Sequence, residues 1–399
     1  MSTIEKKLLL DKINSNRLFQ DLSEMIKIPS ISGYEEKMVD FFSKRLREFG
    51  LTAKYQTVEG ERKNIYVIHH FSKDGPLLTF NGHLDTVPPA KDWEVDPYQP
   101  LQKEGKLYGL GSCDMKGGLA ALLEAFRIIV KFGKNLRGAI AFSGVCGEEA
   151  YSEGARKLLS SELADSKAII IGEPWFGDRK HPICLGSTGK ILYEITAKGK
   201  SAHGMQPEKG INAIEEMAKL LTSLDKLKNH KHHLFKQTNP CTLKIEGGYK
   251  EYSVVVPEFC QTIISRLIVP GENAGSSLKD LEDLIKSLSL KAKFEVLLKP
   301  PYYDPFILDK DEIILKIFKE SYQEILKTDP IFGCQEMITD ANIFTGLSGI
   351  PTLVFGPHGE NLHSSNEYVE MDSLIKATKI YILTAVKYLS WQSKKILSV

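Results

Sequence analysis

The chain has 399 residues, too many for one ordinary hydrophobic core, so two domains are expected. Apolar residues make up 42% of the sequence and charged residues 26%, the composition of an ordinary globular protein. The 52 basic and 51 acidic side chains nearly cancel, so no global field favours binding to nucleic acid or to an anionic membrane.

The apolar runs and the cysteines predict a cytoplasmic protein. A short apolar run near the N-terminus, Leu8 to Leu10, is too short for the core of a signal peptide. No uninterrupted apolar stretch reaches the roughly 18 residues that would span a bilayer. None of the six cysteines pair as C-x-x-C, and reduced thiols are expected in a chain of this size.

The hydrophobic pattern up to about Gly186 alternates between helices and short apolar strands. Apolar side chains recur at helical spacing over 35–49 and 117–132, and Gly50 and Gly133 are natural helix ends. The predicted strands are 65–68, 77–80, 139–145 and 168–171. They are apolar almost throughout, as parallel strands buried on both faces are. Alternation of strand and helix predicts an α/β fold.

After Gly186 the pattern becomes that of a half-exposed sheet with two helices. Predicted strands cover 190–197, 242–246, 254–268 and 292–298, and predicted helices cover 211–227 and 278–288. The order strand, helix, strand, strand, helix, strand is typical of a split β-α-β sandwich. We therefore expect a small α+β domain with a four-stranded antiparallel sheet and two helices.

From Tyr302 onwards the α/β pattern returns, with helices at 311–326 and 372–389 and a strand at 352–355. The candidate site residues described next lie on both sides of the central segment. The sequence therefore predicts a discontinuous catalytic domain, 1–186 and 301–399, whose mixed sheet is covered by helices on both faces. Residues 187–300 would form an inserted domain.

Five side chains that can bind metal each follow a predicted strand or glycine-rich turn. They are His83, Asp114, Glu149, Glu173 and His363. Two imidazoles and three carboxylates suit a pair of zinc-like ions that share one carboxylate, and paired ions are hydrolytic machinery. Each residue also has a plainer explanation: a polar turn, a helix N-cap at Asp114, or a surface position at His363.

Two further acidic residues are placed to assist such a site. Asp85 lies two residues after His83, so in an extended strand both point to the same side. We expect its carboxylate to accept a hydrogen bond from the His83 nitrogen that faces away from the metal. The side chains of Glu148 and Glu149 should diverge, which assigns Glu149 as a ligand and Glu148 as the general base. A pair of adjacent glutamates is, by itself, commonly a surface feature.

Seven motifs in this order resemble the co-catalytic zinc amidohydrolases of the acetylornithine deacetylase, succinyl-diaminopimelate desuccinylase, aminoacylase and glutamate carboxypeptidase type. The matching stretches are Gly82–Pro88, Asp114–Gly118, Gly147–Glu149, Gly172–Pro174, Ala202–Gly204 with Gly210–Ile214, Thr339–Ala341 and His363–Tyr368. The resemblance implies that His83 and Glu173 hold one ion and that Glu149 and His363 hold the other. It places Asp114 between the ions, and it makes Glu148 the base and Asp85 the orienting residue.

The resemblance also implies that the inserted domain is a lid that often forms the contact of a homodimer. His203 matches a histidine that reaches an active site, commonly that of the other subunit, and stabilises the oxyanion. Many relatives carry Asp-Arg-Arg where this chain has Ser265-Arg266-Leu267. Arg266, Asp340 and Gly356 remain candidates for substrate contacts.

The predicted function is hydrolysis of the amide bond of an N-acyl amino acid with two divalent ions. Zinc suits the ligands, and cobalt or manganese fits them too. A dipeptidase or carboxypeptidase acting on short peptides is the alternative within the family. An inert relative that binds a ligand or partner is a third reading. A dinucleotide-binding oxidoreductase is a poor fourth, because Gly109-Leu110-Gly111 lacks the third glycine of that fingerprint.

Overall fold

The computed structural model describes residues 3–228, 230–235, 240–251 and 254–390. The helices are α1 (Thr3–Leu10), α2 (Ser15–Ile26), α3 (Glu36–Glu48), α4 (Lys116–Phe132), α5 (Glu153–Leu158), α6 (Ala213–Leu221), α7 (Ala274–Ser287), α8 (Ile313–Leu326) and α9 (Met371–Ser390). Within the described ranges, no helix combines the length and the apolar character needed to cross a membrane.

The strands, which are 2 to 11 residues long, fall into three sheets. They are β1 (Lys54–Glu59), β2 (Arg62–His70), β3 (Leu77–His83), β4 (Leu101–Lys103), β5 (Lys106–Tyr108), β6 (Ala139–Val145), β7 (Ala168–Ile171), β8 (Ile183–Ser187), β9 (Gly189–Lys198), β10 (Cys241–Gly247), β11 (Phe259–Ile268), β12 (Lys293–Tyr303), β13 (Phe306–Ile307), β14 (Phe332–Gln335), β15 (Thr352–Val354), β16 (Gly359–Glu360) and β17 (Tyr368–Glu370).

The chain divides into two compact units. The first comprises Met1–Leu185, Leu308–Gly333 and Thr339–Val399, and the second comprises Gly186–Ile307 and Cys334–Ile338. The strands of the largest sheet run in the order β1-β2-β6-β3-β7-β15-β8, and β13 and β14 pair with β8. β16, β17, β5 and β4 form a small sheet in the first unit. The large mixed sheet and a separate four-stranded antiparallel sheet confirm the predicted fold class.

Three parallel strands of the large sheet set the position of the site. β3 lies between β6 and β7 and is parallel to both, while β2 pairs with β6 antiparallel. His83 at the end of β3 is level with Val145 at the end of β6, and Asn81 is level with Ile171 at the end of β7. Every residue of β6 and β7 is buried, which explains their continuous apolar sequences. The loops after β3, β6 and β7 therefore leave from one edge.

Helix α4 packs against this edge through a glycine contact. A Cβ atom added to Gly118 would lie 1.8 Å from the carbonyl oxygen of Gly172, so any larger residue would push the helix away from the end of β7. Further along α4 the apolar stripe is buried, and the helix ends before Gly133 as predicted. The first turn of α4, which follows Asp114, is thereby held close to the strand end that precedes Glu173.

The second unit has its own sheet and core. Its four strands run β10-β11-β9-β12 with antiparallel pairing throughout. Ile191, Tyr193 and Ile195 on β9 are fully buried, as the alternating pattern predicts, and pack with residues of α6 and α7.

Two predicted elements of this unit were too long. The helix predicted over 211–227 is α6, which begins after Asn212 because the Asn212 side chain caps it by accepting from the backbone N–H of Ile214. It ends at Leu221, and a separate short 3₁₀ turn follows at Leu224–Lys226. The strand predicted from 254 begins only at Phe259, since Pro257 has no N–H to donate to a ladder.

Candidate metal centre

His83 is the buried last residue of β3, and both of its ring nitrogens have fixed neighbours. Nδ1 lies 2.9 Å from the main-chain carbonyl oxygen of Asp85. Nε2 lies 3.1 Å from Oδ1 of Asp114 and 3.5 Å from Oε1 of Glu173. Because the carbonyl can only accept, Nδ1 carries the proton and Nε2 faces the carboxylates with its lone pair when the ring is neutral. This is the tautomer of a histidine that binds metal through Nε2.

Asp114 lies between the two histidines of the site. Its Oδ1 is 3.1 Å from Nε2 of His83, and its Oδ2 is 3.2 Å from Nε2 of His363. His363 in turn lies 3.1 Å from both carboxylate oxygens of Glu149. The two oxygens of one carboxylate thus face two separate groups of ligands, as a shared carboxylate must.

Glu148 and Glu149 take different places in this arrangement. Ligand atoms of His83, Asp114 and Glu149 lie within 4.8 Å of one another, and so do those of His83, Glu148 and Glu173. The adjacent glutamates therefore diverge, as expected, with Glu149 beside His363 and Glu148 beside Glu173. All five predicted ligands and the predicted base are brought together in the first unit.

The carboxylate of Asp85 does not accept the hydrogen bond that the sequence predicted. Its nearest oxygen is 3.6 Å from Nδ1 of His83, which is bonded to the main-chain carbonyl instead. The carboxylate accepts from the backbone N–H groups of Gly147 at 3.1 Å, Glu148 at 3.2 Å and Glu149 at 3.1 Å, and from the Ser32 hydroxyl at 2.6 Å. Asp85 orients the His83 ring through its backbone and holds the glutamate loop through its side chain.

Glu367 supports Asp114 in a similar way, and no role was predicted for it. Its buried carboxylate accepts from the backbone N–H groups of Gly111 at 2.6 Å, Cys113 at 2.8 Å and Asp114 at 2.9 Å. Burial raises its pKa to about 7, although the backbone hydrogen bonds oppose this shift. The signal in the sequence was its place within the matching stretch His363–Tyr368.

The charges of the site call for cations. Burial, followed by the nearby carboxylate of Glu173, raises the pKa of Glu148 well above its usual range. Burial and the neighbouring Asp114 do the same to the pKa of Glu173. Hydrogen bonds to Asp114 and Glu149 raise the pKa of His363 to about 10. The acidic groups thus resist ionisation, and the imidazole beside them resists losing a proton. Divalent ions would favour the ionised carboxylates and the neutral imidazole, and would balance the negative charge. The residues fit a pair of metal ions.

Two of the weaker candidates are also in the first unit. Asp340 is buried, and its Oδ1 has no hydrogen-bond partner among the described residues. Burial raises its pKa to about 7, and its charge in turn raises the pKa of Glu148 and of Glu173. Gly356 has a packing explanation, because a Cβ atom at this position would lie 2.3 Å from the carbonyl oxygen of Glu173.

The other two candidates lie in the second unit. His203 is exposed, and its Nδ1 accepts from the backbone N–H of Met205 at 3.1 Å. Arg266 is buried, and its guanidinium donates to Glu272 at 2.7 Å and to the Lys228 carbonyl at 3.0 Å. Both bonds come from Nη2, and Nη1 lies 3.4 Å from the Tyr193 hydroxyl, so the buried guanidinium is held by its own unit. This burial argues against the prediction that Arg266 binds a substrate carboxylate.

Comparison with known proteins places this site in a family. Residues 79–387 match the model of a family described as Peptidase family M20/M25/M40. A probable succinyl-diaminopimelate desuccinylase of Staphylococcus epidermidis is 25% identical over 394 residues, covering 90% of this chain and 95% of that protein. A tripeptidase from Staphylococcus aureus has a similar structure, with a TM-score of 0.76 and 24% sequence identity. The match covers 95% of this chain and 100% of that one. A dinuclear metal-binding M20 peptidase from Bacillus subtilis has a TM-score of 0.69 and 16% sequence identity, and the match covers 94% of this chain and 98% of that one. The resemblance drawn from the seven motifs is confirmed.

Proposed function

The chain belongs to peptidase family M20/M25/M40 and is a metal-dependent amidohydrolase, and we propose that it hydrolyses the amide bond of an N-acyl amino acid. The desuccinylase relative supports a deacylase, because its similarity covers 90% of this chain.

The contacts of Asp114 carry this proposal. One of its oxygens faces His83 and the other faces His363, so a single carboxylate connects two ligand groups. In our assignment His83 and Glu173 hold one ion, and Glu149 and His363 hold the other. Histidine and carboxylate ligands suit zinc, with cobalt or manganese as substitutes. Two such ions, when bound, polarise the amide carbonyl and lower the pKa of water.

Glu148 is the proposed general base. Its carboxylate lies beside the ligand group of His83 and Glu173, while Glu149, next in sequence, faces His363. Glu148 takes a proton from the attacking water and delivers it to the nitrogen that leaves. The oxygen of water becomes bonded to the carbonyl carbon, the C–N bond breaks, and the products are a carboxylic acid and an amine.

The second unit is the proposed lid, corresponding to the insertion predicted at 187–300. His203 is exposed, so its imidazole is free to meet an active site and donate to the oxyanion. The edge strand β10 is exposed along its whole length, including Leu243 and Ile245. An exposed apolar edge strand is a surface that another chain can cover, which supports a homodimer formed through the lid.

A substrate panel with metal analysis tests the proposed function. The metal-reconstituted protein is offered N-acetyl and N-succinyl amino acids, dipeptides and tripeptides, and the released amine is measured. We expect hydrolysis of acylated amino acids. Glu148→Gln should reduce kcat by about 10²–10⁴-fold without loss of metal. The exposed Glu61→Gln is a matched control, and its kcat should be unchanged. An active Glu148→Gln would remove Glu148 from the reaction.

A peptidase reaction is the second candidate, because the family that matches the chain is described as one of peptidases. The bond broken and the residues used would be the same. Cleavage of peptides alone in the panel would replace the deacylase proposal with this one. Full metal binding without hydrolysis of any substrate class would instead favour a ligand-binding relative.

A further inference from the structure

A second group of potential metal ligands lies in the first unit, outside the centre described above. Asp178, His181 and His358 each offer one ligand atom, and the three atoms lie within 4.8 Å of one another. The proposed reaction uses none of these side chains, and the two groups have no residue in common. We propose that Asp178, His181 and His358 form a third metal site, for a cation of the zinc type.

The distances within this group are close to those between ligands of one ion, and they involve one oxygen of Asp178 for each histidine. Nε2 of His358 is 3.3 Å from Oδ2 of Asp178, and Nδ1 of His181 is 3.6 Å from Oδ1 of Asp178. Two atoms bound tetrahedrally to zinc at about 2.0–2.1 Å lie roughly 3.3–3.4 Å apart. Hydrogen-bonded nitrogen and oxygen atoms are closer, commonly about 2.9 Å. The spacing therefore fits a shared ion better than direct hydrogen bonds.

An unsatisfied nitrogen points to the same conclusion. Nδ1 of His181 is buried and has no hydrogen-bond partner among the described residues. Burial lowers the pKa of His181, although the carboxylate of Asp178 opposes this shift. A neutral imidazole with a buried, unpaired nitrogen leaves a polar atom without compensation for its lost water. An ion coordinated by that nitrogen would supply the missing partner.

His358 is oriented as a metal ligand would be. Its Nε2 faces Asp178, while Nδ1 lies 3.3 Å from Oε1 of Glu370 and makes no hydrogen bond to any described residue. The carboxylate of Glu370 thus lies on the side where the outer partner of a metal-binding histidine is usually found. The backbone N–H of His358 donates to the Ser373 hydroxyl at 2.9 Å, which fixes the main chain at this position.

A tight turn brings Asp178 and His181 together before any ion binds. Gly177 has a φ of +89°, and its N–H donates to the carbonyl of His181 at 2.7 Å. Oδ1 of Asp178 accepts from the backbone N–H groups of Lys180 and His181, both at 2.8 Å. An aspartate turn alone would explain these bonds. It would not explain the unpaired Nδ1 of His181 or the approach of His358.

An ion at this site would connect two segments of the proposed catalytic centre. Asp178 follows Glu173 by five residues, and His358 precedes His363 by five residues. Two imidazoles and one carboxylate suit zinc, with water as the fourth ligand. Such an ion would hold these two loops together and, with water as its fourth ligand, would be of the open type, separate from the proposed catalytic pair.

Metal counting on the 399-residue chain tests this inference. Metal-free wild type, Asp178→Asn, His181→Gln and His358→Gln are dialysed against buffered free Zn²⁺, and bound zinc is measured by mass spectrometry. We expect wild type to bind about one zinc per chain more than each of the three variants. His70→Gln, which replaces an exposed histidine on β2, should match wild type. Equal zinc content in all five proteins would overturn the inference.

An Asp114→Asn background separates this site from the proposed catalytic pair. This variant should retain about one zinc, and adding His358→Gln should remove it. Loss of all zinc in Asp114→Asn alone would contradict a third site and leave the catalytic proposal intact. Circular dichroism monitors folding. Asp178→Asn keeps the oxygen that accepts the turn hydrogen bonds, so it remains informative if a histidine variant fails to fold.

Discussion

Nδ1 of His83 is bonded to the main-chain carbonyl of Asp85 at 2.9 Å, not to its carboxylate, which lies 3.6 Å away. The backbone of Asp85 therefore sets the tautomer of the histidine at the end of β3. Its side chain is left free to hold the loop after β6, which carries Glu148 and Glu149. One residue thus aligns the ends of two neighbouring parallel strands, and the two tasks can be separated by mutation.

Replacing Asp85 tests this division of tasks. Asp85→Ala removes the acceptor of three backbone N–H groups and of the Ser32 hydroxyl, but it keeps the carbonyl that orients His83. We expect kcat/KM to fall about 10–100-fold, as for outer partners of metal ligands. Ser32→Ala is the matched control, because it removes only the hydrogen bond from the Ser32 hydroxyl. Loss of this bond should lower the free energy of unfolding by about 1–3 kcal/mol. Activity of Asp85→Ala at the wild-type level would refute the role of the side chain.

Glu367→Gln tests the support of Asp114. The amide keeps one acceptor oxygen, but its NH₂ group must face a backbone N–H of Gly111 or of the Cys113–Asp114 segment. The loop that carries Asp114 should shift, and affinity for zinc should fall about 10–100-fold. Competition with a chelator measures this affinity, and the exposed Glu61→Gln should leave it unchanged. An unaltered affinity would mean that Glu367 serves only the fold.

Arg266→Met distinguishes a structural arginine from one that binds substrate. The side chains of Arg266 and Glu272 are each only 3% exposed, so removing the guanidinium leaves a buried carboxylate without its cation. We expect a loss of about 3–5 kcal/mol in the free energy of unfolding. The KM of the folded enzyme should change little. Denaturant unfolding and steady-state kinetics check both, with the exposed Arg47→Met as control. A raised KM at unchanged stability would restore the substrate role.

The lowered pKa of Glu216 predicts that the protein loses stability in acid. Burial opposes its ionisation, but the side chain of Lys219 and the backbone N–H groups of Lys291 and Ala292 outweigh burial and lower its pKa below 4.5. A carboxylate with a lowered pKa stabilises the fold above its unfolded pKa, and this stabilisation is lost as the pH falls through the folded pKa.

Glu216→Gln should therefore destabilise the protein at pH 7 and flatten the decline in stability below about pH 4.5. Urea unfolding across the acid range measures this slope. Its neighbour Glu215 is exposed, so Glu215→Gln should keep the wild-type dependence of stability on pH. A parallel decline in wild type and Glu216→Gln would show that other groups govern the acid response.

Secondary structure could be predicted where a single physical cause dominates. The strands predicted at 139–145 and 168–171 coincide with β6 and β7, because full burial on both faces leaves an uninterrupted apolar sequence. The ends of α6 and β11 were missed, because capping by Asn212 and the missing N–H of Pro257 outweigh the apolar pattern. Local bonds of this kind decide where an element begins.

By itself the sequence determined the chemical types of the site and their order along the chain. His83, Asp114, Glu149, Glu173 and His363 stand out because imidazoles and carboxylates that follow apolar strands need partners. Only the tertiary structure decided which partners support them. The bonds that Asp85 and Glu367 make to backbone N–H groups depend on the path of loops distant in sequence, and a backbone amide carries no mark in the residue type. The buried ion pair between Arg266 and Glu272 likewise forms only in the folded chain.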